Sequence, residues 1–270
     1  MKLNDSSNVV EFKFEGIGRE VKEFLQEDFQ EIWEDIVKID GEYYHAKEVS
    51  VREMLNELIG SYYSNLIGLD AAQYKIGIIG DKMYALSKVF FQKGFTYLYP
   101  NKYFDMTMGS TGSQIEERKK LTYFFEASML DRLNTQEARD SILKMSAVDL
   151  KMNQADRHTY NIIFRIIDGR VYIEKIFDFG WAYDIYPTDS YSSLYYENPF
   201  ITVRKDYVSL SSFAIQHPLF RSSIQRLCEV PVGDVLREIE KANNVTISKE
   251  DYKYYRSKDK EYTKILRKVR

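Results

Sequence analysis

The hydrophobic positions in the first third of the chain form short apolar runs separated by turn dipeptides, a pattern typical of antiparallel strands. Residues 35–47 contain two such runs around Asp40-Gly41, which is a strong signal for a β-hairpin. Residues 76–89 repeat the arrangement around Gly80-Asp81. Between the two hairpins, apolar side chains recur at helical intervals, and the sequence predicts a helix with this buried face: Val51, Met54, Leu55, Leu58, Ile59, Tyr62, Tyr63 and Leu66.

A third hairpin is predicted at residues 162–177, where two β-branched and aromatic runs flank Asp168-Gly169. Helical spacing predicts most of the other elements, at residues 19–34, 114–133, 135–148, 218–229, 231–243 and 248–270. Asn134 or Thr135 is the predicted cap of the helix that begins there. The first third of the chain is therefore rich in strands and the remainder is mainly helical, which predicts an α+β fold.

Side chains that carry carboxylate or amide oxygens lie at both ends of the third hairpin. Asp156 and Asn161 precede it, and Asp178-Phe179-Gly180 follows it. Because a hairpin brings its two ends together, we expect these side chains to converge. Each piece alone is weak, since Asp-Phe-Gly is an ordinary turn tripeptide and an Asp-Arg-His run is more often a solvated loop. Their conjunction predicts a site for phosphoryl transfer.

The residue types at these positions suit that chemistry. The transferred group is highly charged in the transition state, so the protein mainly positions the metal and the nucleophile. Mg²⁺ prefers oxygen ligands, and the Asp178 carboxylate and the Asn161 amide are the candidate ligands. Asp156, five residues before Asn161, has the spacing of the base that accepts the proton of the acceptor hydroxyl. Asp149 is the next carboxylate to consider for this role.

The pattern Asn153-x-x-Asp156-x-His158-x-x-Asn161, together with Asp178-Phe-Gly, resembles the catalytic core of HipA-like serine/threonine kinases. Its Asp-Arg-His-x-x-Asn form also resembles the phosphatidylinositol kinases. The resemblance implies a bilobal protein-kinase-like fold, with a small β-rich lobe containing one helix at residues 1–91 and a larger, mainly helical lobe at residues 92–270. It also implies catalytic roles for Asp156, Arg157 and His158, with Arg157 or His158 neutralising phosphate where eukaryotic kinases use lysine.

The same resemblance implies a strand lysine that holds the α- and β-phosphates of ATP and pairs with a glutamate on the next helix. Lys47 is the candidate lysine, with Lys38 as its substitute. At about 100° per residue, Glu57 lies at the edge of the apolar stripe, whereas Glu53 points away from it. Glu57 is therefore the candidate partner of Lys47.

Two further parts of a nucleotide site have weaker sequence signals. The residues after the second hairpin are expected to form a hinge that binds adenine, although the middle two suit a plain core equally well: Lys88, Val89, Phe90 and Phe91. Gly16 and Gly18 are the nearest candidates for a phosphate-covering loop, or they simply end a strand.

Composition narrows the possible classes of protein. The chain has 270 residues and a formal net charge of -3, which argues against direct binding to nucleic acid or to a membrane surface. A single cysteine, Cys228, excludes an internal disulfide and favours a reducing, cytoplasmic location. Residues 1–8 are polar and no run of about 18 apolar residues occurs, so neither a secretion signal nor a membrane span is expected.

The expected activity is ATP- and Mg²⁺-dependent phosphorylation of serine or threonine in a protein substrate. A kinase-fold pseudoenzyme and a lipid kinase are the alternatives. Residues 179–203 contain acidic residues but no lysine or arginine, which disfavours a phosphoinositide headgroup and suits a polypeptide. Ser190, Ser192 and Ser193 in this segment are candidate sites of autophosphorylation. The resemblance also leaves room for an antitoxin-type partner protein.

Overall fold

The computed structural model describes the chain at residues 1–3, 9–12, 36–92, 94–108, 130–154, 157, 161–183 and 216–267. Four predicted site residues lie outside these ranges: Gly16, Gly18, Asp156 and His158. The predicted helix at 19–34, most of the one at 114–133 and the three candidate serines also lie outside them.

The larger sheet contains both hairpins predicted in the first third of the chain. Its strands within the described residues are β2 (Val10–Glu11), β3 (Ile36–Ile39), β4 (Glu42–Glu48), β5 (Tyr74–Ile79) and β6 (Lys82–Lys88). They lie in the order β2-β5-β6-β4-β3. Strand β4 pairs with β3 on one side and β6 on the other, and Lys47 lies opposite Ala85. Lys47 therefore projects from an inner strand, at a position where the backbone is paired with β6.

Helix α1 (Val51–Leu66) follows β4 directly, as the sequence predicts. A capping box begins it: the Ser50 hydroxyl accepts from the Glu53 amide at 3.3 Å, and the Glu53 carboxylate accepts from the Ser50 amide at 2.7 Å. The middle of the apolar stripe is buried, with Met54, Leu55 and Ile59 fully inaccessible, whereas Val51, Tyr62 and Leu66 are partly buried. This burial fixes the rotation of the helix and therefore the direction in which its polar residues point.

The second sheet contains the third predicted hairpin. Its order is β7-β8-β9, formed by β7 (Thr96–Leu98), β8 (Ile162–Ile167) and β9 (Arg170–Ile176). Asp168 and Gly169 turn the hairpin with φ angles of 49° and 74°. The sequence did not predict β7 or the helix α2 (Pro100–Met108) that follows it.

The later elements are mainly helical. They are α3 (Gln136–Met152), α4 (Pro218–Glu229), α5 (Val232–Asn243) and α6 (Lys249–Leu266), with a short ladder of β1 (Lys2–Leu3) and β10 (Val245–Thr246). Thr135 caps α3, because its hydroxyl accepts from the Ala138 amide at 3.2 Å. Helix α3 extends beyond the predicted residue 148, and Asn153 ends it in the left-handed conformation. The predicted α+β class, with a β-rich first part containing one described helix and a mainly helical second part, is confirmed.

Helix α6 packs one face against α3 and α5. Lys151 of α3 is fully buried and pairs with Asp259 of α6 at 2.6 Å, and it also donates to the Thr263 hydroxyl at 2.8 Å. One hydrophobic core joins α1, α3, α5 and α6. Among the described helices, none is long and apolar enough to cross a lipid bilayer.

Candidate functional site

The tripeptide Asp178-Phe179-Gly180 begins where β9 ends. Asp178 has a φ angle of 61°, in the left-handed region that residues other than glycine seldom adopt. Two side chains hold this conformation. The backbone N–H of Asp178 donates to the Tyr74 hydroxyl at 3.2 Å, and the side-chain amide of Gln154 donates to the backbone carbonyl of Asp178 at 2.6 Å. Strained residues held from several sides are concentrated at functional sites, which marks this turn as a candidate site.

Phe179 anchors the tripeptide against helix α1. Its side chain is fully buried. The ring lies directly against Gly60, where an added Cβ atom would come 2.7 Å from the ring atom Cδ1. The absence of a side chain at Gly60 therefore allows the ring to occupy this position.

The Gly60→Ala variant tests this close contact. Alanine improves helix propensity by about 1 kcal/mol, but overpacking against a buried ring costs about 1–3 kcal/mol, so we expect a lower free energy of unfolding. Gly233→Ala in α5 is the matched control, since its Cβ would come 2.7 Å from Nε of Arg256, the end of an exposed and flexible side chain. Urea denaturation measures both variants, and equal stability of the two would contradict the packing argument.

Lys47 contacts the same turn. Its Nζ atom lies 2.7 Å from Oδ1 of Asp178, and the two side chains are 36% and 27% exposed. Burial acts to lower the pKa of Lys47, but the negative charges of Asp178 and Glu57 outweigh it and leave the pKa above its ordinary value. Lys47 is therefore a charged group at the edge of the site.

The predicted partner of Lys47 was Glu57, whereas the ion pair in the structure is formed with Asp178. Desolvation explains the difference. Asp178 reaches the ammonium group in a half-exposed position, whereas Glu57 is only 1% exposed, so a direct pair there would require the ammonium group to be buried more deeply. Glu57 still lies close enough for its charge to affect the pKa of Lys47.

Glu57 lies beneath the tripeptide. Its Oε2 atom accepts from the Phe179 amide at 2.8 Å, while Oε1 makes no hydrogen bond of ordinary geometry with the described residues. An added Cβ at Gly180 would lie 3.4 Å from this Oε1 atom and 3.5 Å from Oδ1 of Asp178. Burial, followed by repulsion from Asp178, raises the pKa of Glu57 to about 8, and Lys47 opposes the shift. Glu53, by contrast, is engaged in the capping box at the start of α1.

The pKa of Glu57 predicts a pH dependence of stability. As the pH rises above about 4.5, the unfolded chain loses this proton while the folded protein keeps it, so the free energy of unfolding falls until about pH 8. Glu57→Gln removes that contribution, and we expect its stability relative to the wild type to increase between these pH values. Urea denaturation at both ends of the range measures it, and a constant difference between the two proteins would show that Glu57 ionises normally.

Arg157 is buried among protein groups. Its guanidinium group forms a bidentate ion pair with Asp149, in which Nε lies 3.0 Å from Oδ2 and Nη2 lies 3.0 Å from Oδ1. Both side chains are 0% exposed. It also donates to the Phe177 carbonyl at 2.6 Å and contacts the ring of Phe179 at 4.8 Å. The predicted contact of Arg157 with phosphate does not fit this burial, because the group that was expected to bind substrate charge is instead neutralised by Asp149. Asp149 is equally enclosed, and so cannot reach a substrate hydroxyl as the fallback base.

The β8–β9 hairpin brings Asn161 next to the tripeptide. The Phe177 amide donates to the Asn161 carbonyl at 3.2 Å, and the guanidinium group of Arg157 also reaches that carbonyl at 3.4 Å. Asn161 is 3% exposed. The expected convergence of the hairpin ends is therefore present in the backbone at Asn161 and Phe177.

The predicted hinge packs mainly against aromatic residues. Phe91 is buried and its ring lies 4.9 Å from that of Tyr97, with Val89 and Phe90 partly buried around the same cluster. The Val89 amide donates to the Tyr43 carbonyl at 2.9 Å. Lys88 pairs with Glu42 at 2.9 Å on the surface. Val89 and Phe90 are thus only partly buried, Lys88 is exposed, and adenine binding by this segment stays a prediction.

An open cleft of about 440 Å³ adjoins this segment. Its walls come from residues 88–92, residues 71–73, Glu174 and Lys175. Neither Lys47 nor Asp178 lines it. The cleft is therefore distinct from the Lys47–Asp178 pair.

Sequence reasoning missed three residues that hold the site together: Asn56, Tyr74 and Gln154. Asn56 and Gln154 are buried amides that donate to backbone carbonyls of the tripeptide and the residues after it. A polar residue between Leu55 and Glu57 was a signal for Asn56, and the position of Gln154 inside the 153–161 motif was a signal for that residue. Nothing local to Tyr74 indicates its contact with Asp178, which is 104 residues away in sequence.

Comparison with solved structures shows which fold the chain has. The fold is similar to that of CtkA, a proinflammatory kinase of Helicobacter pylori, with a TM-score of 0.61 and 16% identity over 87% of this chain and 91% of CtkA. It is also similar to HipA of Shewanella oneidensis, solved with HipB and operator DNA, with a TM-score of 0.53 and 13% identity over 87% of this chain and 62% of HipA. No protein-family model and no curated protein sequence matches the chain. The chain has a HipA-like kinase fold.

Proposed function

We propose that the protein is an ATP- and Mg²⁺-dependent serine/threonine protein kinase that also phosphorylates itself. The observation that carries the proposal is the 2.7 Å pair of Lys47 and Asp178, formed on a kinase fold above the buried Glu57. The proposed nucleotide-binding lobe comprises residues 1–91 and the proposed catalytic lobe comprises residues 92–270, and the Lys47–Asp178 pair links the two.

The donor set suits magnesium and a polyphosphate. A hard cation such as Mg²⁺ takes oxygen ligands, and the Asp178 carboxylate and the Asn161 amide would supply them. Lys47 is a point charge suited to phosphate. Glycine at position 180 places no Cβ atom beside Asp178, where one would come 3.5 Å from Oδ1. When bound, ATP supplies the transferred phosphoryl group and Mg²⁺ neutralises its charge.

Side chains of the protein are proposed to bind the phosphates, to accept the proton and to position the backbone. Lys47 orients the phosphates, and Asp156 accepts the proton of the attacking hydroxyl group. His158 is the proposed group that offsets phosphate charge near the acceptor, since Arg157 is neutralised by Asp149. Arg157 acts as a positioning residue that fixes the backbone at Phe177.

The acceptor is proposed to be a polypeptide. The basis is the absence of lysine and arginine from residues 179–203, which leaves no cation there to match a phosphoinositide headgroup. An antitoxin-type partner is a further proposal, supported by the presence of HipB in the HipA structure. The proposed location is the cytoplasm, and no direct contact with nucleic acid or membrane is proposed.

Labelled ATP and Mg²⁺ test the proposal directly. The purified protein is incubated alone, with a basic protein, and with phosphatidylinositol vesicles. Phosphoserine or phosphothreonine that depends on Mg²⁺ is the expected product. Lipid product alone would identify a lipid kinase, while Mg²⁺-dependent ATP binding without transfer would identify a pseudoenzyme.

A further inference from the structure

A single buried side chain holds the backbone that follows the tripeptide. The Asn56 amide group donates to the carbonyl of Gly180 at 2.8 Å and to that of Ala182 at 2.7 Å. Asn56 is fully buried. Because both partners are carbonyls, the NH₂ end of the side chain must face them and the oxygen end must face away.

Helix α6 provides the partner for that oxygen. The Tyr255 hydroxyl lies 2.9 Å from Oδ1 of Asn56 and 3.0 Å from the Arg52 carbonyl, and both of these atoms are acceptors. The hydroxyl hydrogen therefore points at this pair and fixes the orientation of the Asn56 amide. Tyr255 is 199 residues from Asn56 in sequence.

Other contacts tie the same stretch of α6 to the site. Arg52 of α1 pairs with Asp251 at 3.1 Å, and its guanidinium group lies 4.3 Å from the ring centre of Tyr254. The ring of Tyr255 packs edge-on against Tyr183 with 5.2 Å between centres. Helix α6 thus touches α1 and the end of the segment that begins at Asp178.

We propose that Asn56 and Tyr255 are positioning residues for the Asp178 carboxylate. The inference rests on the proposed kinase function and assigns control of its metal-binding segment to helix α6. Asp178 is held in a conformation that costs free energy, so the chain on either side of it must be restrained. Gln154 and Tyr74 restrain Asp178 itself, and Asn56, oriented by Tyr255, restrains the two carbonyls that follow.

The Tyr255→Phe variant removes the hydroxyl group and keeps the ring. Tyr252→Phe is the matched control, because Tyr252 lies on the same helix and its hydroxyl group bonds to Glu240 at 2.6 Å, away from the tripeptide. Tyr255→Phe removes a buried hydroxyl group that contacts two acceptors, and Tyr252→Phe removes a partly buried one that contacts a single carboxylate. Loss of stability alone would change exchange throughout the protein in both variants, whereas loss of positioning changes it at the tripeptide in Tyr255→Phe only.

Two measurements separate positioning from stability. Hydrogen exchange on the unliganded protein is measured at two backbone amides. That of Phe179 donates to Glu57, and that of Ala182 donates to the Phe179 carbonyl. The kinetic measurement follows kcat and the Mg²⁺ concentration at the half-maximal rate. For Tyr255→Phe we expect about tenfold faster exchange, about tenfold lower kcat and a higher Mg²⁺ requirement, since one buried hydrogen bond is typically worth about such a factor.

Tyr252→Phe should match the wild type in all of these quantities. Equal behaviour of the two variants would overturn the inference, as would a lower kcat for Tyr255→Phe without faster exchange. Asn56→Ala should reproduce the exchange effect, and combining it with Tyr255→Phe should add little, because the two residues act in series. If the wild type transfers no phosphate, the proposed function fails, but the exchange comparison still decides whether α6 positions the segment.

Discussion

Asp178→Asn is expected to lower the rate of phosphate transfer about 10³-fold and to abolish the Mg²⁺-dependent stabilisation of the protein by ATP. Removing one carboxylate from a site with few protein ligands weakens the bound metal, whose charge neutralisation contributes several kcal/mol to such reactions. The variant should fold, because the Asp178 side chain is 27% exposed and amide and carboxylate have nearly the same shape. Thermal unfolding with and without ATP and Mg²⁺, together with the labelled-ATP assay, measures both effects.

Asp70→Asn provides the control for this experiment. Asp70 forms an exposed ion pair with Lys175 near the end of β9, so the same substitution breaks a similar pair outside the site. Exposed pairs contribute about 0–1 kcal/mol, and we expect unchanged transfer and unchanged ATP stabilisation. A variant of Asp178 that keeps the Mg²⁺-dependent stabilisation would show that Asp178 is not a metal ligand.

Arg157→Leu is expected to have the largest effect on stability, lowering the free energy of unfolding by about 3–5 kcal/mol. The substitution leaves Asp149 buried without its partner. Burial already raises the pKa of Asp149 although Arg157 opposes the shift, so the isolated carboxyl group should take up a proton. Urea denaturation of the variant measures the loss.

The double variant Arg157→Leu/Asp149→Leu separates stability from activity. Replacing both members of a buried ion pair with apolar residues is often neutral for stability, so much of the loss should be recovered. Transfer activity should stay low, because the contact of Arg157 with the Phe177 carbonyl, one residue before Asp178, is still missing. Full recovery of both properties would show that Arg157 has no positioning role.

The elements that the sequence predicted correctly are those whose signals are local. Asp40-Gly41 and Asp168-Gly169 turn their hairpins with both residues in the left-handed region, a conformation that this dipeptide favours wherever it occurs. Strand β7 was missed because its three residues gain their stability from distant pairing, such as Leu98 with Phe164. No pattern within residues 96–98 reports that partner.

The candidate site was predictable in its composition and less so in its contacts. The hairpin between Asn161 and Asp178 follows from local sequence signals, and helical periodicity places Glu57 rather than Glu53 beside the apolar stripe. The choice of Lys47 and a helix glutamate came from the resemblance to kinases. The pairing of Lys47 with Asp178 depends on how deeply each carboxylate is buried, which sequence patterns do not record. Arg157 illustrates the same limit, since a motif gives its position but not the direction of its side chain.

The dependence of the site on helix α6 constrains the order of events during protein synthesis. Residues 56 and 178 leave the ribosome well before residue 255, so Asn56 and the segment after Asp178 exist for a time without the Tyr255 hydroxyl group that orients them. Contacts between residues so distant in sequence form late, because the loop between them must first be closed. A nascent chain that already carries every side chain of the candidate site therefore still lacks one of its supports, and the arrangement around Asp178 is completed only when the helix that contains Tyr255 docks.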